Sequence, residues 1–147
     1  MNYTALQQQV MSDEGFRAKP YLDTVGIATV GYGSIRILGR DVQLYDPDIT
    51  PDNARQLLRA DLYGALVDAQ ALFSRFDEMD GVRQGVLANM AYNLGRHRLG
   101  KFKRMIDAAE KLDYVLMSEE MVLSKWYLQV GNRGVRLANE MKTGETT

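Results

Sequence analysis

Glu14 and Asp23 are the residues with which this chain could do chemistry. They lie in Asp13-Glu14-Gly15-Phe16-Arg17-Ala18-Lys19-Pro20-Tyr21-Leu22-Asp23-Thr24, which runs on through Val25-Gly26-Ile27-Ala28-Thr29-Val30-Gly31-Tyr32-Gly33. Two carboxyl groups in unequal environments are the minimum equipment for cleaving a glycosidic bond. One stays protonated and gives its proton to the leaving oxygen; the other stays ionised and acts on water or on the sugar carbon. The spacing puts them on two elements that can face each other across a cleft. A carboxyl separation of about 6.5–9.5 Å would fit inversion, and about 5–5.5 Å retention through a covalent intermediate. Plain structural roles compete at every position. Glu14 could be an exposed helix end, Asp23 a turn residue satisfied by its own backbone, and Thr29 a β-branched strand residue. Gly31 and Gly33 suit strand twist or a bulge, or room for a sugar ring close to backbone.

The elements that must position these groups are legible. Leu6, Val10 and Met11 at helical spacing, with Thr4 as cap and Gly15 as stop, predict a helix over 4–13. Glu14 then sits near the helix C-terminus, where the dipole opposes a carboxylate and suits a proton donor. From Arg17 to about Val42, strand formers broken by glycines predict a small twisted antiparallel sheet, with Asp23-Thr24-Val25-Gly26 as its first turn. Thr50-Pro51-Asp52 supplies a cap, an N1 proline and an acidic first turn. Apolar residues then recur at three and four, which predicts a long helix from Pro51 to about Phe73. The remainder reads as helical, with segments ended by Gly95 and near Gly131, a single helix through Met121–Tyr127, and a frayed tail from Lys142. Trp126, the only tryptophan, reads as core at its helical spacing.

Composition narrows the classes. The 147 residues are 46% hydrophobic and 25% charged, enough for one domain or two lobes sharing a helix. No apolar run is long enough to span a bilayer, and the N-terminus lacks a basic start and an apolar stretch, so no export signal is expected. There is no cysteine and one histidine, His97; disulfide and thiolate chemistry are out, and no metal site is expected. A net charge of −1 argues against nucleic acid as partner. The charge is uneven, however: acidic residues crowd 41–80, while Arg96, Arg98, Lys101, Lys103 and Arg104 form a basic run. That run reads either as a solvated surface or as a lip attracting an anionic polymer.

The stretch Asp13 to Gly33 resembles the catalytic signature of the T-even bacteriophage lysozymes, a glycoside hydrolase family. Asn89-Met90-Ala91-Tyr92-Asn93-Leu94-Gly95 resembles the family's central cleft helix. Ser124-Lys125-Trp126-Tyr127, followed by Asn132-Arg133, resembles its C-terminal helical pair. The three blocks, in order, cover most of the chain. The resemblance implies an α+β fold, mostly helical: a sheet lobe at about 15–50, a connecting helix at about 51–73, and a helical lobe at about 74–143 that includes the N-terminal helix 4–13. It implies Glu14 as general acid, Asp23 as the ionised carboxylate of an inverting displacement, and Thr29 beside the same water. It implies Gly33, Ile35, Tyr92, Asn93, Met105 and Glu120 as substrate contacts and Arg133 as support for the acid. Tyr92 and Asn93 stand where the family more often has Phe and Gln, and Met105 stands at a polar position. Ser34 replaces a histidine that makes a structural salt bridge, so a change in stability is expected there. The link from sheet to long helix is also shorter.

The function so implied is hydrolysis of the β-1,4 bond between N-acetylmuramic acid and N-acetylglucosamine in bacterial peptidoglycan, without cofactor or metal. The protein is expected to be a monomer made in the host cytoplasm. It would reach the wall after a holin permeabilises the membrane, with no membrane or nucleic-acid partner of its own. The alternatives are a catalytically silent wall-binding or phage tail component, a small nucleic-acid-binding protein, and a lytic transglycosylase, against which Asp23 argues.

Overall fold

The computed structural model describes residues 1–147 as an α+β fold with its strands confined to the first third of the chain. Helix α1 (Tyr3–Glu14) precedes strands β1 (Arg17–Leu22), β2 (Ala28–Gly31), β3 (Arg36–Ile37) and β4 (Arg40–Asp41). Then come α2 (Pro51–Leu72), a 3₁₀ turn at Phe76–Glu78, α3 (Gly81–Leu94), α4 (Arg96–Leu99) and α5 (Lys103–Glu110). Helices α6 (Tyr114–Val122), α7 (Lys125–Val130) and α8 (Asn132–Thr143) complete the chain. There are two compact units: residues 4–63, and residues 1–3 with 64–147. Helix α2 begins in the first and ends in the second. Helix α1, expected with the helical lobe, groups with the strands from Thr4 onward.

Within the strand-bearing unit the expected sheet is two separate ribbons. In the first, Tyr21 pairs with Thr29 and Leu22 with Ala28, and the register slips between Arg17 and Tyr21. Pro20 lies in that interval, and a proline has no N–H to give to a ladder. In the second, Arg36 pairs with Asp41 and Ile37 with Arg40. Between them Val30 and Ser34 exchange both backbone hydrogen bonds at 2.9 Å, closing a tight turn over Gly31-Tyr32-Gly33. Gly31 is required there twice. Its φ is +68°, and a Cβ would lie 3.1 Å from the Cβ of Ala54 in the first turn of α2. That helix starts as its sequence predicts, with Asn53 N–H donating to the Thr50 hydroxyl at 3.2 Å.

The helical unit has its own core, built on Leu87, Leu99 and Leu137 and on five methionines that are fully buried: Met90, Met105, Met117, Met121 and Met141. Unbranched, polarisable side chains fill the irregular gaps that several short helices leave between them. The single helix expected through Met121–Tyr127 is broken into α6 and α7. Ser124 makes the break: its hydroxyl donates to Met121 C=O at 2.7 Å and accepts from Tyr127 N–H at 3.1 Å, ending one helix and capping the next. Nor does the chain fray at Lys142. Arg83 donates to the carbonyls of Met141 and Lys142 at 2.7 and 3.0 Å, satisfying orphan groups at the end of α8. Its guanidinium also stacks on Tyr114, 3.7 Å from the ring centre.

Gly31→Ala should destabilise the protein by about 1–3 kcal/mol, combining a strained φ with overlap against Ala54. Urea unfolding would measure it, and a change under about 0.5 kcal/mol, the range of a neutral surface substitution, would refute the close-approach account.

Candidate active site

Asp23 stands at the head of the β1–β2 loop and holds it closed. Its Oδ1 accepts hydrogen bonds from Val25 N–H at 2.9 Å and Ile27 N–H at 2.8 Å. Its backbone adds two more: Asp23 N–H to Ile27 C=O at 2.9 Å, and Gly26 N–H to Asp23 C=O at 3.1 Å. The carboxylate is therefore an Asx-turn residue, as its position in sequence suggests. The same bonds fix where the carboxylate sits. A group anchored by two backbone donors cannot sample rotamers, and that is a condition for doing chemistry on a fixed reactant.

Glu14 closes α1, and Gly15, in the left-handed region at φ +70°, turns the chain into β1. Tyr21 lies between the two acids in sequence. Burial pushes its phenol above the ordinary value, the Arg17 guanidinium opposes this, and the charges of Glu14 and Asp23 both reinforce it. The side chain thus lies in the field of both carboxyl groups. Arg17 packs on the Tyr21 ring, 3.9 Å from its centre. Sequence reasoning treated Tyr21 only as a strand former. The available signal was its place two residues before Asp23, at the end of the strand that leads into the turn.

Thr29, the cross-strand partner of Tyr21, is buried, and its hydroxyl donates to Ile27 C=O at 2.8 Å. With that proton committed, the oxygen can only accept from a further partner. Gly33 is half-buried in the turn beyond β2, and Ile35 is exposed. Glu14, Asp23, Thr29, Gly33 and Ile35 all belong to the strand-bearing unit.

Beneath this set is a pair that sequence reasoning missed. The buried Ser34 hydroxyl donates to Asp61 Oδ2 in α2 at 2.7 Å. The serine lacks the imidazole expected for a salt bridge, yet a hydroxyl–carboxylate bond spans turn and helix. Burial holds the Asp61 carboxyl above the usual range, and the Ser34 bond partly offsets this. Asp61 was findable: it sits seven positions after Ala54, inside the row that carries the apolar stripe of α2.

The other candidates lie in the helical unit. Asn93 accepts from the Trp126 indole N–H at 2.7 Å, and Trp126 is buried edge-on to Phe102. Tyr92 is half-buried beside the core. Arg133 donates through Nε to Asn89 Oδ1 at 3.0 Å. Glu120 lines a pocket of about 670 Å³. Met105 has 0% exposure. It is core packing at the base of that pocket, because the position turns inward on the short helix α5, and its side chain offers no surface to a polymer.

A family model described as "Phage lysozyme" matches residues 11–139. The chain belongs to the phage lysozyme family. It is a glycoside hydrolase, and the lysozyme fold accounts for the strand pair, long helix and helical unit described above. The chain is 25% identical to "Probable T4-type lysozyme 2" of Dictyostelium discoideum, over 96% of this chain and 95% of that protein. It is 24% identical to "Probable T4-type lysozyme 1" of the same organism over the same shares. It is 26% identical to "Pre-baseplate central spike protein Gp5" of Enterobacteria phage T4, over 95% of this chain but 28% of that protein.

Asp61 gives this lysozyme a testable pH signature. Its folded-state pKa is raised, so the native state holds the proton more tightly than the unfolded chain. That contribution is fully present below the unfolded pKa and is lost as pH rises through the raised value. Asp61→Asn keeps an acceptor for Ser34 and removes the ionisation. Its melting temperature should exceed the parent's at about pH 7, and the gap should close by about pH 3. A gap that stays constant between the two would contradict the burial of this carboxyl.

Proposed function

We propose that the protein hydrolyses the β-1,4 bond between N-acetylmuramic acid and N-acetylglucosamine in peptidoglycan, with inversion. The observation that carries this reading is the Asp23 carboxylate fixed by two backbone N–H groups in the turn that follows β1, with Glu14 closing the helix before that strand, in a chain of the phage lysozyme family. Glu14 gives its proton to the leaving glycosidic oxygen. Asp23, with Oδ1 tied to the loop, uses Oδ2 to take a proton from water as that water's oxygen bonds to the sugar carbon. Thr29 Oγ1, able only to accept, holds the water's other hydrogen and turns its lone pair toward the sugar. Tyr21, with Arg17 stacked on it, keeps the two acids in register.

Gly33 and Ile35 are assigned to sugar contacts on the strand-bearing unit, and Tyr92, Asn93 and Glu120 to sugar contacts on the helical unit. Asn93 has its oxygen committed to Trp126, which leaves its amide N–H groups for a carbonyl such as an N-acetyl group. Arg133, held by Asn89, is assigned the supporting role on the helical unit. Synthesis in the bacterial cytoplasm, and access to the wall through a holin, complete this reading. Similarity to the phage T4 central spike protein favours a second reading, a particle-borne component of the same fold.

Clearing of a purified peptidoglycan suspension tests the assignment. Glu14→Gln should slow it by about a hundred- to ten-thousand-fold while circular dichroism and melting temperature stay unchanged. Mass analysis of the cleaved ends should show reducing muramic acid. Unimpaired clearing by Glu14→Gln, or anhydro ends, would overturn it.

A further inference from the structure

The pocket on the helical unit has a charge pattern that sugar binding does not explain. Arg98, Lys101, Lys103, Arg104 and Lys125 surround it, against one carboxylate, Glu120. This is five cations to one acid in a chain whose overall net charge is −1. These cations also differ from arginines elsewhere. Arg36, Arg40, Arg55, Arg75, Arg83 and Arg136 each lie against a carboxylate. None of the five pocket cations has a hydrogen bond or ion pair through its side chain.

The floor on which they converge is apolar, made by Leu94, Phe102, Met105 and Trp126. Low-dielectric walls strengthen the field of charges at a concave rim. Helix α4, the turn after it and the start of α5 supply four of the cations and the start of α7 the fifth, so this is not one solvated helix face. Trp126 also ties the floor to Asn93 through its 2.7 Å hydrogen bond. A group held in the pocket would therefore lie beside a residue assigned to sugar contact within the same unit.

The structure assigns this pocket to an anionic substituent of the wall polymer, held by the five cations next to the glycan and selecting acidic wall over neutral wall. The inference rests on the wall-hydrolase reading and adds a specificity determinant to it. Carboxylates of the peptide stems and phosphodiesters of wall-linked polymers share the required chemistry. Glu120 adds room for an amide or amine N–H on the same substituent.

Co-sedimentation of the full-length protein with purified wall, which requires no bond cleavage, tests the proposal. Four wall preparations are used: untreated, carboxyl-amidated, stripped of phosphodiester polymer, and given both treatments. Lys101→Gln/Lys103→Gln/Arg104→Gln should bind untreated wall roughly tenfold more weakly at low salt, since each exposed ion pair contributes only a few-fold. The deficit should shrink at high salt. It should vanish on amidated wall if stem carboxylates are the ligand, and on stripped wall if phosphates are. Lys101→Arg/Lys103→Arg should bind as the parent does. Equal binding of parent and triple variant to untreated wall, or a deficit that survives both treatments together, would overturn the proposal. Failure of the parent to clear wall would defeat the hydrolase reading instead and leave the sedimentation comparison readable.

Discussion

The two backbone hydrogen bonds accepted by Asp23 Oδ1 are the constraint on which the site depends. They close the loop between β1 and β2, and the closed loop sets the register that puts Tyr21 opposite Thr29. Without that register, Thr29 loses its place opposite Tyr21. A ribbon of two short strands is marginal by itself. Its geometry is held by what borders it: the turn locked between Val30 and Ser34, the seat of Gly31 on Ala54, and the bond from Ser34 to Asp61. A structural group and the proposed reacting group are thus one side chain. A turn role for Asp23 and a chemical role do not compete, because the first supplies the preorganisation that the second needs.

The helical unit meets a different demand. Its helices are short, and specific side chains satisfy several of their backbone termini. Ser124 serves the α6–α7 break, Asp113 caps α6, Asp80 caps α3, and Arg83 covers the end of α8. Between these fixed points a methionine-rich core adapts to the helices it receives. Polar capping gives the unit a defined geometry that a core of flexible side chains would not specify alone.

Much of this was legible in the chain. Local signals with a physical mechanism carried well: the cap and proline at Thr50-Pro51, the glycine stops, the Asx turn at Asp23, and Trp126 as core. The assignment to the phage lysozyme family was readable because the spacing and surroundings of Glu14 and Asp23 resemble its signature. What the sequence hid was mostly non-local. The Ser34–Asp61 bond joins residues 27 positions apart. The Arg83 contacts span nearly 60 positions. Helix α4 is four residues long and rests on no apolar periodicity that could announce it. Met105 was carried over by position alone, and only packing reveals that it faces inward. Ser124 is the exception, since a serine between two apolar runs is a local cap signal, and reading through it merged two helices.

The most direct test of the central claim separates the two duties of Asp23. Asp23→Asn keeps an Oδ1 that can accept from Val25 and Ile27 and removes the charge; Asp23→Ala removes both. The account predicts that Asp23→Asn unfolds in urea as the parent does yet clears peptidoglycan at least about a hundredfold more slowly. It predicts that Asp23→Ala loses activity and also about 1–2 kcal/mol of stability. An Asp23→Asn protein that clears wall at the parent's rate would show that this carboxylate only closes a loop, and the account would fail.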